Sequence, residues 1–299
     1  MLRRYRESYR STPDCPLCAQ LTTERLAPAH ARVLQCLNPL CGLMFAFPQL
    51  DDRELAAAYK KFYYPGSDTS LAVYANTPGE ILRQTFDRVA ADMGPLAGKN
   101  LLDFGCGIGR LCQVAREYGI CTTGIEPDSN ARERTAKECG LRTHENLSSL
   151  RLAEPCTKFD IVTMWDVIEH LREPWKEVEN LSSILQPDGY LLLSTPNAGS
   201  LRARLEREKW ENITNRTHFY YFTRSSLKAV LGRAGFADIT ELRFHIRYPG
   251  HAIVRRLVHR ALVTCRLQGQ LVLVARPRTS VRNIATSKEI GGTEVNAAD

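Results

Sequence analysis

The chain has 299 residues, 43% hydrophobic and 24% charged, enough for one large α/β domain with an appendage or for two ordinary domains with real cores. No apolar run reaches the ~18 residues of a membrane span, and residues 1–10 lack the apolar stretch of a secretory signal; neither an integral membrane protein nor a secreted one is expected, and a cytoplasmic location is. The net charge of +7 is uneven, with 6 basic against 3 acidic residues over 1–50, 16 against 22 over 51–200 and 18 against 8 over 201–299, so an anionic partner would meet the C-terminal third unless that surface is simply solvated.

Residues 1–50 carry few apolar runs but four of the ten cysteines, as Cys15-Pro-Leu-Cys18 and Cys36-Leu-Asn-Pro-Leu-Cys41. A segment this small does not fold on apolar burial alone. Two cysteine pairs about a hairpin apart resemble a zinc ribbon, in which four thiolates close a tetrahedron around a structural Zn²⁺. The second pair is wider than usual, and Ala19 stands where a glycine often follows the first knuckle, so a ribbon without metal and unrelated thiols stay open. The other six, Cys106, Cys112, Cys121, Cys139, Cys156 and Cys265, read as small buried hydrophobes in a reducing compartment.

Residues 51–98 read as a helical lid or linker, with apolar spacing for helices over 51–64 and 78–93 and a loop over 65–70. From residue 99 short apolar strands alternate with amphipathic helices, the pattern of a doubly wound, mostly parallel sheet covered on both faces. Strands are expected at 101–104, 121–125, 141–144, 159–165, 190–194, 239–244 and 271–275. Helices are expected at 110–118, 128–139 (capped by Asp128 and ended by Gly140), 173–185 and 225–232 (capped by Thr223), with a turn at 186–189. Residues 251–264 form a basic amphipathic helix that can lie on an anionic membrane surface or pack on its own domain. Residues 279–299 read as a disordered tail.

The sequence Leu101-Leu-Asp-Phe-Gly-Cys-Gly-Ile-Gly109 runs from a strand through a glycine loop into a helix, where glycines admit a ligand to the backbone. Arg110 stands where a dinucleotide-binding G-x-G-x-x-G would need its last glycine. Asp103 at the mouth of the loop would repel a pyrophosphate but attract an ammonium and a sulfonium, as in S-adenosylmethionine. Glu126 ends the next strand, 21 residues past Gly105, where a carboxylate can accept both ribose hydroxyls.

These residues resemble the nucleotide-binding core of the class I S-adenosylmethionine-dependent methyltransferases over about 100–275; the whole chain resembles a bacterial branch with an N-terminal zinc-ribbon-like segment. The resemblance implies a Rossmann-like, seven-stranded sheet with an antiparallel last strand. It also implies that Asp103, Gly105 and Gly107 hold the methionine end, Glu126 the ribose, and Asn146 with Leu147 the adenine, with Cys106, Gly109, Pro127, Trp165 and Asp166 completing the cofactor set. Asn146 could as readily cap a loop.

Methyl transfer is an in-line displacement that mainly needs alignment and exclusion of water, plus a base when the acceptor is a hydroxyl. His170, which follows the strand at 159–165, and His218, in the insertion after the strand at 190–194, are the candidate bases; His170 has a bracing role as its alternative. Asp166, Glu169 and His170 also resemble the acid-x-x-Glu-His block of ubiquinone-pathway O-methyltransferases, where a divalent metal can sit, but with no further ligand apparent no Mg²⁺ is expected. Trp210 and Phe219 to Phe222 form either a pocket wall or core. The expected acceptor is a small or carrier-linked molecule such as a sugar, polyketide or quinone precursor, with O-methylation favoured. An RNA-binding or RNA-methylating protein and an inactive binding module are the competing readings; no nucleic-acid partner is expected, and the oligomeric state is left open.

Overall fold

The computed structural model describes residues 12–62, 79–244 and 253–278. The loop expected at 65–70 and the tail at 279–299 lie outside these residues. Two sheets organise the chain.

The smaller sheet opens the chain with β1 (Thr22–Leu26), β2 (Arg32–Cys36) and β3 (Met44–Phe47), an antiparallel meander. Its fourth strand, β9 (Tyr220–Tyr221), arrives from the far end of the sequence and pairs Met44 with Tyr221 and Phe45 with Tyr220. Cys15, Leu34, Cys36, Cys41, Leu43 and Phe45 are buried in one cluster with strand and helix residues of the larger sheet. The cysteine-bearing segment therefore shares its apolar burial with the main core.

The larger sheet has the order β10-β11-β8-β7-β4-β5-β6. It comprises β4 (Asn100–Phe104), β5 (Cys121–Ile125), β6 (Arg142–His144), β7 (Phe159–Trp165), β8 (Leu185–Pro196), β10 (Phe236–Glu241) and β11 (Gln270–Pro277). The pairs β4–β5, β4–β7, β5–β6 and β7–β8 are parallel, whereas β11 runs antiparallel to both β8 and β10. This is the fold class that the alternation of strands and helices predicts. Fully buried runs such as Ile161, Val162, Thr163 and Met164 in β7, with Leu191 to Ser194 in β8, follow from helices on both faces.

Two helices come before this sheet: α1 (Asp52–Phe62) and α2 (Gly79–Met93). In the stretch read as a lid or linker, α2 packs Leu82, Phe86 and Val89 against Leu101, Leu111, Val114, Ile161 and Leu192 and so covers one face of the sheet. Each such side chain contributes about 1.5–3 kcal/mol when fully buried. The crossovers contain α3 (Arg110–Glu117), α4 (Ser129–Cys139), α5 (Leu147–Ala153) and α6 (Pro174–Ser182). As their sequences predict, Asp128 caps α4 by accepting the Ala131 N–H, and Gly140 ends it with φ 58°. After β8 come α7 (Leu201–Glu206) and α8 (Glu211–Thr214), then α9 (Arg224–Arg233) with its Thr223–Ser226 capping box, and α10 (Ile253–Thr264) before β11.

Three expectations need correction. Residues 186–189 are not a turn outside the sheet: Leu185 pairs with Phe159 and Tyr190 with Ile161, so the four residues bulge within β8 opposite Asp160. The strand expected at 239–244 lies at Phe236–Glu241, because its register against β11 runs from Phe236↔Pro277 to Glu241↔Leu273. Of the six cysteines read as buried, Cys106 and Cys112 are buried and Cys139 partly so, whereas Cys121, Cys156 and Cys265 are exposed.

Candidate cofactor and acceptor site

In an open α/β sheet the crevice lies beyond the carboxyl ends of the strands. Here β4, β5, β7 and β8 end around a cavity of about 1630 Å³. Of the residues singled out by sequence, Asp103, Gly105, Cys106, Glu126, Pro127, Asn146, Leu147, Trp165, Asp166, His170 and His218 line it; Gly107 and Gly109 do not.

Asp103 is 2% exposed, accepting from the Thr163 hydroxyl at 2.6 Å and from the Cys112 thiol at 3.7 Å. Burial, with the nearby Glu126 charge adding to it, pushes its carboxyl up to about 6. Gly105 takes φ 81° and donates its N–H to the Ile125 carbonyl at 2.8 Å. A β-carbon there would sit 2.5 Å from Cγ2 of Val167. Gly107 acts on the loop itself: its N–H donates to Glu126 at 3.0 Å and its carbonyl accepts from Thr135 at 2.9 Å. Gly109 makes room for Thr135, whose Cγ2 would lie 2.8 Å from an added β-carbon. The sequence reads all three glycines as one cradle, yet only Gly105 meets the cavity.

Glu126, 7% exposed, also accepts the Asp128 N–H at 3.0 Å, and burial raises its carboxyl above the usual range. Asn146 caps α5, with its side chain accepting the Ser149 N–H at 2.9 Å. The capping role, one of its two readings, thus occupies its oxygen while the residue still faces the cavity.

On the opposite wall, Asp166 follows β7 with φ 54° and accepts from Ser194 at 2.8 Å and from the Gln270 amide. Glu169 accepts from Thr195 at 2.9 Å. The His170 Nδ1 lies 3.0 Å from the Thr217 carbonyl, and the rings of His170 and His218 meet edge to face with centroids 4.6 Å apart. Burial drives His170 down to about 4 and His218 well below its ordinary value, so both rings are neutral near pH 7. Phe219, Tyr220, Tyr221 and Phe222 are core, whereas buried Trp210 lines the cavity. Sequence reasoning missed Tyr59, Arg202, Asn212, Gln268 and Gln270, which also line the cavity. They come from three separate regions of the chain with no shared spacing to reveal them.

The four N-terminal cysteines bring their sulfurs within 4.8 Å of one another, with Cys15–Cys41 at 3.8 Å and Cys18–Cys36 at 3.4 Å. A tetrahedron of thiolates at ~2.3 Å from zinc has edges of about 3.8 Å, so the donor set fits that ion. Among the described residues no helix is long and apolar enough to cross a membrane.

A family model described as a methyltransferase domain matches residues 76–241. The ubiquinone biosynthesis O-methyltransferase of Haemophilus ducreyi is 34% identical over 121 residues, 38% of this chain and 51% of that protein. The enzyme of that name from Nitrobacter winogradskyi is 30% identical over 115 residues, 38% of this chain and 44% of that one. The chain thus spans about half the length of the curated relatives it matches. Among solved structures, the plantazolicin methyltransferase BpumL in complex with a pentazolic desmethylPZN analog and SAH superposes with a TM-score of 0.53 at 16% identity, covering 75% of this chain and 95% of that one. The CurJ carbon methyltransferase gives 0.52 at 15% identity, covering 74% and 61%. At such identities the likeness is one of fold.

Proposed function

The chain belongs to the class I S-adenosylmethionine-dependent methyltransferases, and from that premise we propose that it methylates a hydroxyl oxygen of a small or carrier-linked acceptor. The observation that carries the cofactor part of this reading is the buried Asp103 carboxyl beside the Gly105 backbone, with the nearby Glu126 lining the same cavity. S-adenosylmethionine, when bound, supplies a methyl carbon on a sulfonium, which an acceptor oxygen attacks in line as the carbon–sulfur bond breaks. Asp103 attracts the cationic methionine end. Gly105 lets the ligand approach the backbone, and Glu126 accepts the ribose hydroxyls. Trp165, Val167 and Leu147 exclude water from the reacting centre, which strengthens these contacts. The curated relatives are named as O-methyltransferases, and a hydroxyl acceptor has a proton to lose. The neutral rings of His170 and His218 are in the form that takes up that proton. Cys15, Cys18, Cys36 and Cys41 hold a structural Zn²⁺.

Calorimetry should show S-adenosylhomocysteine binding that Glu126→Ala weakens by roughly 1.5–3 kcal/mol, the scale of hydrogen bonds to a charged group. Because the ligand ammonium favours ionised Asp103, affinity should rise with pH through about 6. Tight NADH binding with none for S-adenosylhomocysteine would overturn the assignment.

If an imidazole is the base, His218→Ala or His170→Ala should lower turnover ~10²-fold or more while cofactor affinity stays nearly constant. An effect confined to His218 places the base on the insertion after β8, and one confined to His170 places it beside β7. Full turnover in both variants would leave alignment and desolvation to account for the rate.

A further inference from the structure

Away from Asp103 and Glu126, the cavity is lined by polar side chains that are tied to the protein at one end and open at the other. Asp166 takes φ 54°, a left-handed conformation that is costly for a non-glycine residue and therefore points to a function. Its Oδ1 accepts from the Ser194 hydroxyl at 2.8 Å and from the Gln270 amide, whereas its Oδ2 has no partner among the described residues. An ionised carboxylate can only accept, so Gln270 turns its Nε2 to Asp166, with Ser194 Oγ accepting from the same nitrogen at 2.6 Å, and its amide oxygen stays open. Gln268 repeats the pattern: Nε2 donates to Glu241 at 2.6 Å, and the buried Oε1 has no partner among the described residues.

Asn215 is held the other way round. Its Oδ1 accepts from the N–H and the hydroxyl of Thr217 at 3.1 and 2.8 Å, which leaves the hydrogens of Nδ2 to donate. The Asn212 side chain makes no hydrogen bond to the described residues. All of these residues line the cavity, as does Trp210, 3% exposed. They lie beside the histidines, since the His218 N–H donates to the Asn215 carbonyl at 3.1 Å and the His218 ring bonds the Asn212 backbone.

An open oxygen calls for a donor and an open N–H₂ for an acceptor; a hydroxyl is both. A ring with several hydroxyls can pair with every member of the set while its C–H face lies on an indole. A quinone brings no donor and a simple phenol only one. Either would leave desolvated polar groups unpaired, each at a loss of about tenfold in affinity.

We propose that the acceptor is a sugar, a pyranose whose ring hydroxyls are bound by Asp166, Gln270, Asn212 and Asn215 against Trp210. Asp166 then serves the acceptor and not the cofactor. That one of these hydroxyls is methylated rests on the methyltransferase reading; the binding of the sugar does not.

The test is saturation-transfer difference NMR on the full chain saturated with S-adenosylhomocysteine. The probes are the methyl α-pyranosides of glucose, mannose, galactose and rhamnose, with catechol as the aromatic counterpart. At least one glycoside should bind, and more tightly than catechol. Gln270→Leu and Asn212→Leu should each weaken that glycoside ~10-fold or more, while S-adenosylhomocysteine affinity changes by less than about threefold. Should Gln270→Leu fail to fold, Asn212→Leu decides, because it removes no hydrogen bond within the described residues. Absence of binding by all the glycosides, tighter binding of catechol, or equal glycoside affinity in Asn212→Leu and wild type overturns the proposal. A glycoside that binds but receives no labelled methyl group from S-adenosylmethionine keeps the sugar site and counts against hydroxyl methylation. S-adenosylhomocysteine binding without any glycoside does the reverse.

Discussion

Gly105→Ala should reduce S-adenosylhomocysteine affinity by tenfold or more, while Gly140→Ala leaves it unchanged. Both glycines have positive φ, 81° and 58°, so both substitutions carry the strain of an L-residue in the left-handed region, about 1–3 kcal/mol. The surroundings separate them. A β-carbon on Gly140 meets nothing within 4 Å, whereas on Gly105 it would lie 2.5 Å and 3.3 Å from the two methyls of Val167. Val167 belongs to the wall after β7, so relief of the clash moves that wall or withdraws the loop that the Gly105 N–H ties to Ile125. Either movement changes the space beside Asp103. Calorimetry on the two variants, with their thermal midpoints as a folding control, checks the contrast; wild-type affinity in Gly105→Ala would remove the loop from the cofactor site.

The parallel part of the sheet was legible because strands such as β4 and β7 are short, largely apolar runs bounded by turn residues. Such runs report burial on two faces regardless of what they pack against. The β8 bulge escaped because Gln186-Pro-Asp-Gly189 has the composition of a turn and only the partner register shows four residues absorbed within a strand. The two-residue β9 has no periodicity at all. Tyr220 and Tyr221 become a strand because Met44 and Phe45 offer them an edge from the other end of the sequence. The wall that carries Glu169, His170 and His218 was half legible for the same reason. Glu169 and His170 are sequence neighbours, but His218 joins them only through tertiary pairing, and the cavity-facing side chains of Gln268 and Gln270 come from the approach to β11. Gly107 and Gly109 do not line the cavity; their positive φ serves the loop itself, since a glycine motif reports backbone conformation as well as ligand contact.

Loss of the zinc we propose at the four cysteines should be felt at the wall of Glu169, His170 and His218 before that of Asp103, Gly105 and Glu126. The path is a run of backbone hydrogen bonds. The Cys36 N–H donates to Leu43, joining the second cysteine pair to the start of β3. The Ala46 N–H on β3 donates to Phe219 at 2.9 Å, and the Phe219 N–H donates to the Glu169 carbonyl at 2.8 Å. Phe219 is fully buried and directly follows His218, so the strand edge that the cysteines stabilise also fixes His218 against Glu169 and His170. Asp103, Gly105 and Glu126 belong to β4, β5 and their loops, outside this path. Elemental analysis should find about one zinc per chain, absent in Cys15→Ser, because a structural site of this kind is closed by four thiolates. The variant should lose several kcal/mol of stability, since the binding energy of a structural metal is folding energy, and its thermal midpoint should fall by on the order of 10 °C. Below that midpoint turnover should drop ~10-fold or more while S-adenosylhomocysteine affinity changes by less than about threefold, because a displacement of His218 of the order of an ångström is costly to alignment and leaves the cofactor contacts alone. Metal-free protein with an unchanged midpoint and full turnover would refute both the zinc site and its link to the wall of Glu169, His170 and His218. Equal losses of turnover and cofactor affinity would keep the zinc but reject the path.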